Sequence, residues 1–390
     1  MSLQADADRL LDAAAQSGDV PGVVALAATA DGIIYGGAAG RRSLPDGAPM
    51  SLDTIFWIAS MAKAMTAVAA MQLVEQGRLA LDQNAAEIVA QLANVQVLDG
   101  FDENGTPRLR PARRPITIRH LLTHTAGYGY DNWNADMLRY MQQTGLPGAS
   151  SGKLVSLGVP LLFDPGERWE YGISIDWVGR IVEKISGKTL DAYMREEIFE
   201  PLGLRDTVYL LGPAQKARLA QVHRRAADGT LVPTDERQPL QQEPEFFPGG
   251  GCLHSTGADY LAILRTLMNG GRRNGTDILR RETVALMAQN HIAVPGAGIL
   301  RRANPHMTHD LDLFPGKRTG WGLSFLINLE DAPTGRSAGS LTWAGMGNTY
   351  FWLDPKRQVA GVLLTQVLPF ADPIVLRLFE AFETTVYRAL

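Results

Sequence analysis

The sequence predicts an α/β fold of the α+β kind, with one antiparallel sheet flanked by N- and C-terminal helices and an inserted all-helical lobe. Three observations carry this. Strand-like runs stand at both ends of the chain, at 22–29 and 33–40 and again between 323 and 365. A helical pattern adjoins each set, at 4–17 and at 373–387. Between them, residues 85–249 show short helical patterns separated by Pro/Gly-rich connections, with little period-2 alternation. The expected division is a discontinuous sheet domain, 1–84 and 250–390, and a helical lobe, 85–249.

Each element has its own signal. Residues 4–17 read as an amphipathic helix, and Ala30-Asp31-Gly32 supplies the Asp-Gly turn of a hairpin joining Gly22–Thr29 to Ile33–Gly40. A helix from Met61 to Gln76 is apolar nearly all round and is closed by Gly77. A helix without a polar face is buried. Helical patterns follow at Thr117–Thr123, Ile175–Ser186, Leu190–Glu197 and, after Gly249-Gly250-Gly251, at Ala258–Met268. The C-terminal runs 323–329, 340–343, 349–353 and 359–365 are rich in β-branched and aromatic residues and are broken by turn residues.

Composition narrows the function. The 390 residues carry 37 basic and 41 acidic side chains, a net charge of −4 without a basic stripe, so nucleic acid is not an expected partner. No apolar stretch reaches the ~18 residues of a membrane span. The N-terminus is acidic and lacks a charged-then-apolar leader, and Cys252 is the single cysteine, so no intrachain disulfide can form. A cytoplasmic protein is expected.

The chemistry-bearing signal is Ser60-Met61-Ala62-Lys63, at the junction between the extended run 54–58 and the buried helix. Residues three apart share a helical face, so the Lys63 amine can reach the Ser60 hydroxyl. Serine becomes a nucleophile when a base takes its proton, and a buried lysine is one such base. Lysine is rarely buried unless paired or functional. A second Ser-x-x-Lys, Ser150 to Lys153, lies among Gly145, Pro147, Gly148 and Gly152 and reads as loop. So do the pentapeptides Gly148–Gly152 and Gly335–Gly339, which match Gly-x-Ser-x-Gly but lack a strand leading into a helix. His120 and His124 have the spacing of a zinc pair, without a Glu between them to complete that motif, and are expected to be packed and hydrogen-bonded.

Further segments fall in a familiar order: His120 to Gly127, Asp164 to Tyr171, Gly249 to Thr256, Trp321-Gly322 and Trp343-Ala344-Gly345. Together with the Ser60 junction, the chain resembles the serine β-lactamase and penicillin-binding superfamily, in its class C-like branch. It is most similar there to family VIII carboxylesterases and lovastatin-type acyltransferases. The resemblance covers roughly residues 20–367. It implies a β-lactamase/transpeptidase-like fold with the active site in the cleft between the two lobes. It implies Ser60 as nucleophile, Lys63 as its hydrogen-bonded partner and Tyr171 as the tyrosine of the second motif. It also implies an oxyanion hole from the N–H groups of Ser60 and Met346. A phenol beside a cationic lysine releases its proton more readily while burial resists ionisation of either, so Lys63 and Tyr171 are assigned the base role jointly.

Two departures shape the expected activity. The second motif reads Tyr171-Gly172-Ile173, without the Asn or Ser often found there. Trp343 stands where β-lactamases place a cation, and an apolar indole suits a neutral ester better than a carboxylate-bearing substrate. A small-molecule ester, handled by a serine carboxylesterase without cofactor or metal, is therefore expected. An acyltransferase of the same superfamily, a weak class C-like β-lactamase and a catalytically silent binding module stay open. Substrate contacts are expected from Trp343, Ala344, Gly345, Tyr130, Trp133 and Tyr128, the last three in an aromatic loop that the resemblance places on the rim facing Ser60.

Overall fold

The computed structural model describes residues 2–235, 243–294 and 296–390. Its centre is a seven-stranded antiparallel sheet built from both ends of the chain. The strands are β1 (Gly22–Thr29), β2 (Ile33–Gly40), β3 (Thr319–Trp321), β4 (Leu326–Asn328), β5 (Leu341–Gly345), β6 (Thr349–Asp354) and β7 (Val359–Leu364). Their order is β3-β4-β5-β6-β7-β1-β2, so the N-terminal hairpin completes a sheet begun by the C-terminal strands. Leu26 faces Val362 across β1 and β7, and Trp343 faces Phe351 across β5 and β6.

Period-2 alternation sends these side chains to two buried layers. Tyr350 and Trp352 meet Phe379 and Phe382 of the C-terminal helix, Pro373–Arg388, with ring centroids 5.0 and 5.8 Å apart. Phe351 points the other way, 5.2 Å from Tyr260 on the helix Gly257–Met268. Trp343, opposite Phe351, belongs to that second face. The buried helix there is Ala62–Glu75, in which every residue from Ala62 to Leu73 is buried. Its polar side chains reach backbone carbonyls: Thr66 donates to the Gly249 carbonyl at 2.6 Å, and Gln72 donates to the carbonyls of Glu197 and Ile278, each at 3.1 Å.

The inserted segment departs from the expectation of an all-helical lobe. It carries the helix Ser174–Ser186, but also antiparallel pairs at Gln96–Phe101 with Pro107–Pro111 and at His223–Arg225 with Leu231–Pro233. The first pair closes on Asp102, whose Oδ1 accepts the N–H groups of Asn104 and Thr106 at 2.9 and 2.8 Å. Its second strand is edge-like, largely exposed and bounded by prolines, so it lacks the apolar alternation that marks a half-buried strand.

Candidate active site

Ser60 is presented by a strained turn. The strand Phe56–Trp57 pairs with His254–Ser255, and the Ile58 N–H donates to Leu253 at 3.0 Å. Ala59 then takes φ +46°, a left-handed conformation costing a non-glycine residue roughly 1–2 kcal/mol. A 3₁₀ turn, Ala59–Met61, holds Ser60 ahead of the helix proper. The first N–H groups of such a turn have no acceptor inside it. The end of β5 packs directly on this turn. A Cβ at Gly345 would lie 2.2 Å from the Ile58 carbonyl oxygen, so only glycine fits, and the next residue, Met346, reaches the cavity beside Ser60.

Lys63, one helical turn on, is 1% exposed. Its Nζ donates to Ser60 Oγ at 3.1 Å, Tyr130 OH at 3.3 Å and the Gly250 carbonyl at 2.7 Å. Three acceptors match the three N–H bonds of an ammonium group.

Tyr171 approaches the same amine with its ring, whose centroid is 4.8 Å from Nζ. Its hydroxyl oxygen accepts the Trp343 indole N–H at 2.9 Å. The two phenols thus divide the neighbourhood. Tyr130 meets Lys63 through its hydroxyl, whereas Tyr171 lies behind it in an aromatic cluster with Trp343 at 4.9 Å, Trp133 at 5.3 Å and His124 at 4.9 Å. Trp133 is itself anchored by its indole N–H, donated to Thr308 Oγ1 at 3.1 Å. His124, fully buried at φ +55°, keeps its imidazole neutral. Burial, and secondarily the Lys63 charge, push its protonation well below the usual range. His120 instead closes its own helix end, with Nδ1 accepting the Thr117 N–H at 3.2 Å.

A cavity of about 180 Å³ opens over Ser60, with Tyr130, Trp133, Asp176, Met307 and Met346 among its walls. Of the residues expected to contact substrate, Tyr130 and Trp133 line it. Trp343 and Ala344 are buried behind it, and Gly345 forms the close approach to Ile58. Tyr128 is not among the residues lining the cavity: it is 1% exposed and packs on Trp177 at 6.4 Å. Its phenol is buried, which pushes its ionisation above the ordinary range.

Sequence reasoning missed Asp176. This carboxyl, 1% exposed, sits in the first turn of the helix Ser174–Ser186 and accepts the Gly250 N–H at 2.9 Å. Burial raises its protonation, opposed by the charge of Lys63. The Tyr130 phenol is also pushed up, first by burial and then by the nearby Asp176. A polar residue amid the buried pattern Ser174–Val182 was the available signal.

The chain as a whole is similar to known proteins. The chain is 34% identical over 392 residues to the monacolin J acid methylbutanoyltransferase of Aspergillus terreus, covering 96% of this chain and 93% of that protein. It is 33% identical over 398 residues to a lovastatin esterase of Penicillium rubens, covering 98% of both. The solved structure of simvastatin synthase (LovD) from Aspergillus terreus, unliganded, superposes with a TM-score of 0.85 at 31% identity, over 98% of this chain and 97% of that one. The sequence model of the Beta-lactamase family matches residues 7–382. With a match of that extent, this chain belongs to the beta-lactamase family.

Proposed function

We propose that the chain is a serine carboxylesterase that hydrolyses small to medium carboxylic esters through an acyl-enzyme on Ser60. The observation that carries the reading is the buried Lys63 amine 3.1 Å from Ser60 Oγ, at the edge of the cavity. Ser60 Oγ attacks the ester carbonyl carbon, and its proton passes to the Lys63–Tyr171 pair. The N–H groups of Ser60 and Met346 hold the developing oxyanion, where losing one donor typically costs ~10²–10³ in rate. The carbonyl re-forms, the C–O bond to the alcohol breaks, and the alcohol leaves with the proton held by the pair. Water then repeats the sequence on the acyl-serine and releases the acid.

The walls favour an uncharged substrate. The described residues lining the cavity include Asp131 and Asp176 but no Lys or Arg, and the Lys63 amine beside Ser60 is already held by three acceptors, which disfavours a carboxylate beside the scissile bond. The two-lobe division is part of the proposal: Ser60, Lys63, Gly250 and Met346 come from 1–84 and 250–390, and Tyr130, Tyr171 and Asp176 from 85–249. A cytoplasmic setting is also proposed, supported by a single cysteine that leaves no disulfide framework.

A second reading, acyl transfer to an alcohol in place of water, is supported by the 34% identity to a methylbutanoyltransferase. Product analysis of ester turnover with and without added alcohol separates the two. Free acid as the main product supports the esterase, and an ester of the added alcohol as the main product overturns it in favour of the transferase.

A further inference from the structure

Asp176 and Lys63 hold the two backbone polar groups of one residue, Gly250. Asp176 Oδ1 accepts the Gly250 N–H at 2.9 Å, while Lys63 Nζ donates to the Gly250 carbonyl at 2.7 Å. A side chain on Gly250 would press on both Asp176 and Tyr130. A Cβ there would lie 2.9 Å from Asp176 Oδ2 and 3.0 Å from Tyr130 OH. The carboxylate and the Tyr130 hydroxyl therefore converge on one point beside the amine. Asp176 Oδ2 is buried and has no hydrogen-bond partner among the described residues. A buried carboxylate with a free oxygen is costly unless a charge nearby compensates it.

We infer that Asp176 is the charge partner of Lys63, a positioning residue that acts through the Gly250 backbone and keeps the lysine amine protonated in the resting site. The inference rests on the acyl-enzyme reading above and deepens it: the pair must lose one proton before Ser60 can be activated, and Asp176 sets the pH at which that happens.

The other titratable groups around the pair come from every side. Tyr130 and Asp131 lie on the aromatic loop, Tyr171 just ahead of the Asp176 helix, His124 beneath Tyr171, and Tyr209 and Cys252 beyond Gly250. Burial keeps the Tyr130 and Tyr209 phenols protonated and the His124 imidazole neutral. Lys63 is thus the cation of this neighbourhood, Asp176 the carboxyl bonded to the same residue, Gly250, and Asp131 a second carboxyl on the cavity wall. An opposite charge favours the protonated amine, so its removal favours proton loss.

The test is the pH dependence of kcat/KM for a p-nitrophenyl ester in the full chain, comparing wild type with Asp176→Asn and Asp176→Glu. Asn preserves the shape and the acceptor for Gly250 but not the charge. We expect D176N to move the acid limb about one pH unit or more toward lower pH, and D176E to return it toward wild type whatever its kcat. A merely structural role would change kcat or thermal stability and leave the limb in place. A D176N profile that superimposes on wild type overturns the inference. Should D176N not fold, D176S is uncharged and is read in the same way. Ser60→Ala keeps the two failures apart. Turnover surviving in S60A overturns the acyl-enzyme reading itself, whereas a dead S60A with an unmoved D176N limb overturns the role of Asp176 alone.

Discussion

The Trp343 indole N–H donates to the Tyr171 hydroxyl oxygen at 2.9 Å, joining the end of β5 to the residue just ahead of the Asp176 helix. With its oxygen occupied by this donor, the Tyr171 O–H is left to point elsewhere, and its ring face lies 4.8 Å from Lys63 Nζ. Trp343 thus holds the Tyr171 hydroxyl from β5. On the reading proposed above, Trp343→Phe should retain the packing and lose the N–H. We expect kcat to fall by about 3–10-fold, the cost of one hydrogen bond, with KM little changed. A kcat within a factor of 1.5 or so of wild type would show that the indole N–H contributes nothing to the reaction.

The two phenols make a sharper comparison. Tyr171 is proposed to share the proton with Lys63, so Tyr171→Phe should lower kcat by ~10²-fold or more. Tyr130, whose own proton is held tightly by burial, is a hydrogen-bond partner of the amine. Its replacement by Phe should cost about 10-fold. Steady-state kinetics on both variants check the assignment. The reverse order would move the proton-handling role from Tyr171 to Tyr130.

His124 predicts a stability effect with a definite sign. Burial holds its protonation well below the value of about 6.5 that an exposed histidine shows. The unfolded chain therefore takes up a proton that the folded chain refuses. The stability this site contributes is complete above pH ~6.5 and is lost as pH falls below it, by about 1.4 kcal/mol per pH unit. Urea unfolding of His124→Asn between pH 8 and pH 5 should show an acid-side slope shallower by about that amount. His120, His223 and His291, also shifted downward mainly by burial, remain in both proteins and cancel in the comparison. An unchanged slope would contradict a neutral, buried His124.

Much of this architecture was legible because burial writes itself into composition. The Asp31-Gly32 turn marks the first hairpin, where Thr29 N–H donates to the Gly32 carbonyl at 2.9 Å. An apolar surface all round the helix Ala62–Glu75 is enough to bury Lys63. What escaped depends on relations between distant or irregular segments. Tyr128 and Tyr130 are two residues apart in a loop, and no periodicity says which turns toward Ser60. The carboxyl of Asp176 gains its meaning from Gly250, which the chain brings to it from the other side of the inserted segment. The second strand of the hairpin across 96–111 is edge-like and largely exposed, so the strong signal there is Asn104-Gly105 at the turn. Strain is equally silent. Ala59, His124 and Cys252 take φ values of +46°, +55° and +68° around the site, with no glycine to announce them.

The most direct measurement is intact-mass and peptide analysis after brief exposure to a fluorophosphonate, with Ser60→Ala as control. The account predicts one adduct, on the peptide carrying Ser60, with ester hydrolysis lost in proportion to labelling and no adduct on S60A. Labelling at another serine, or full hydrolysis by the S60A protein, would contradict it.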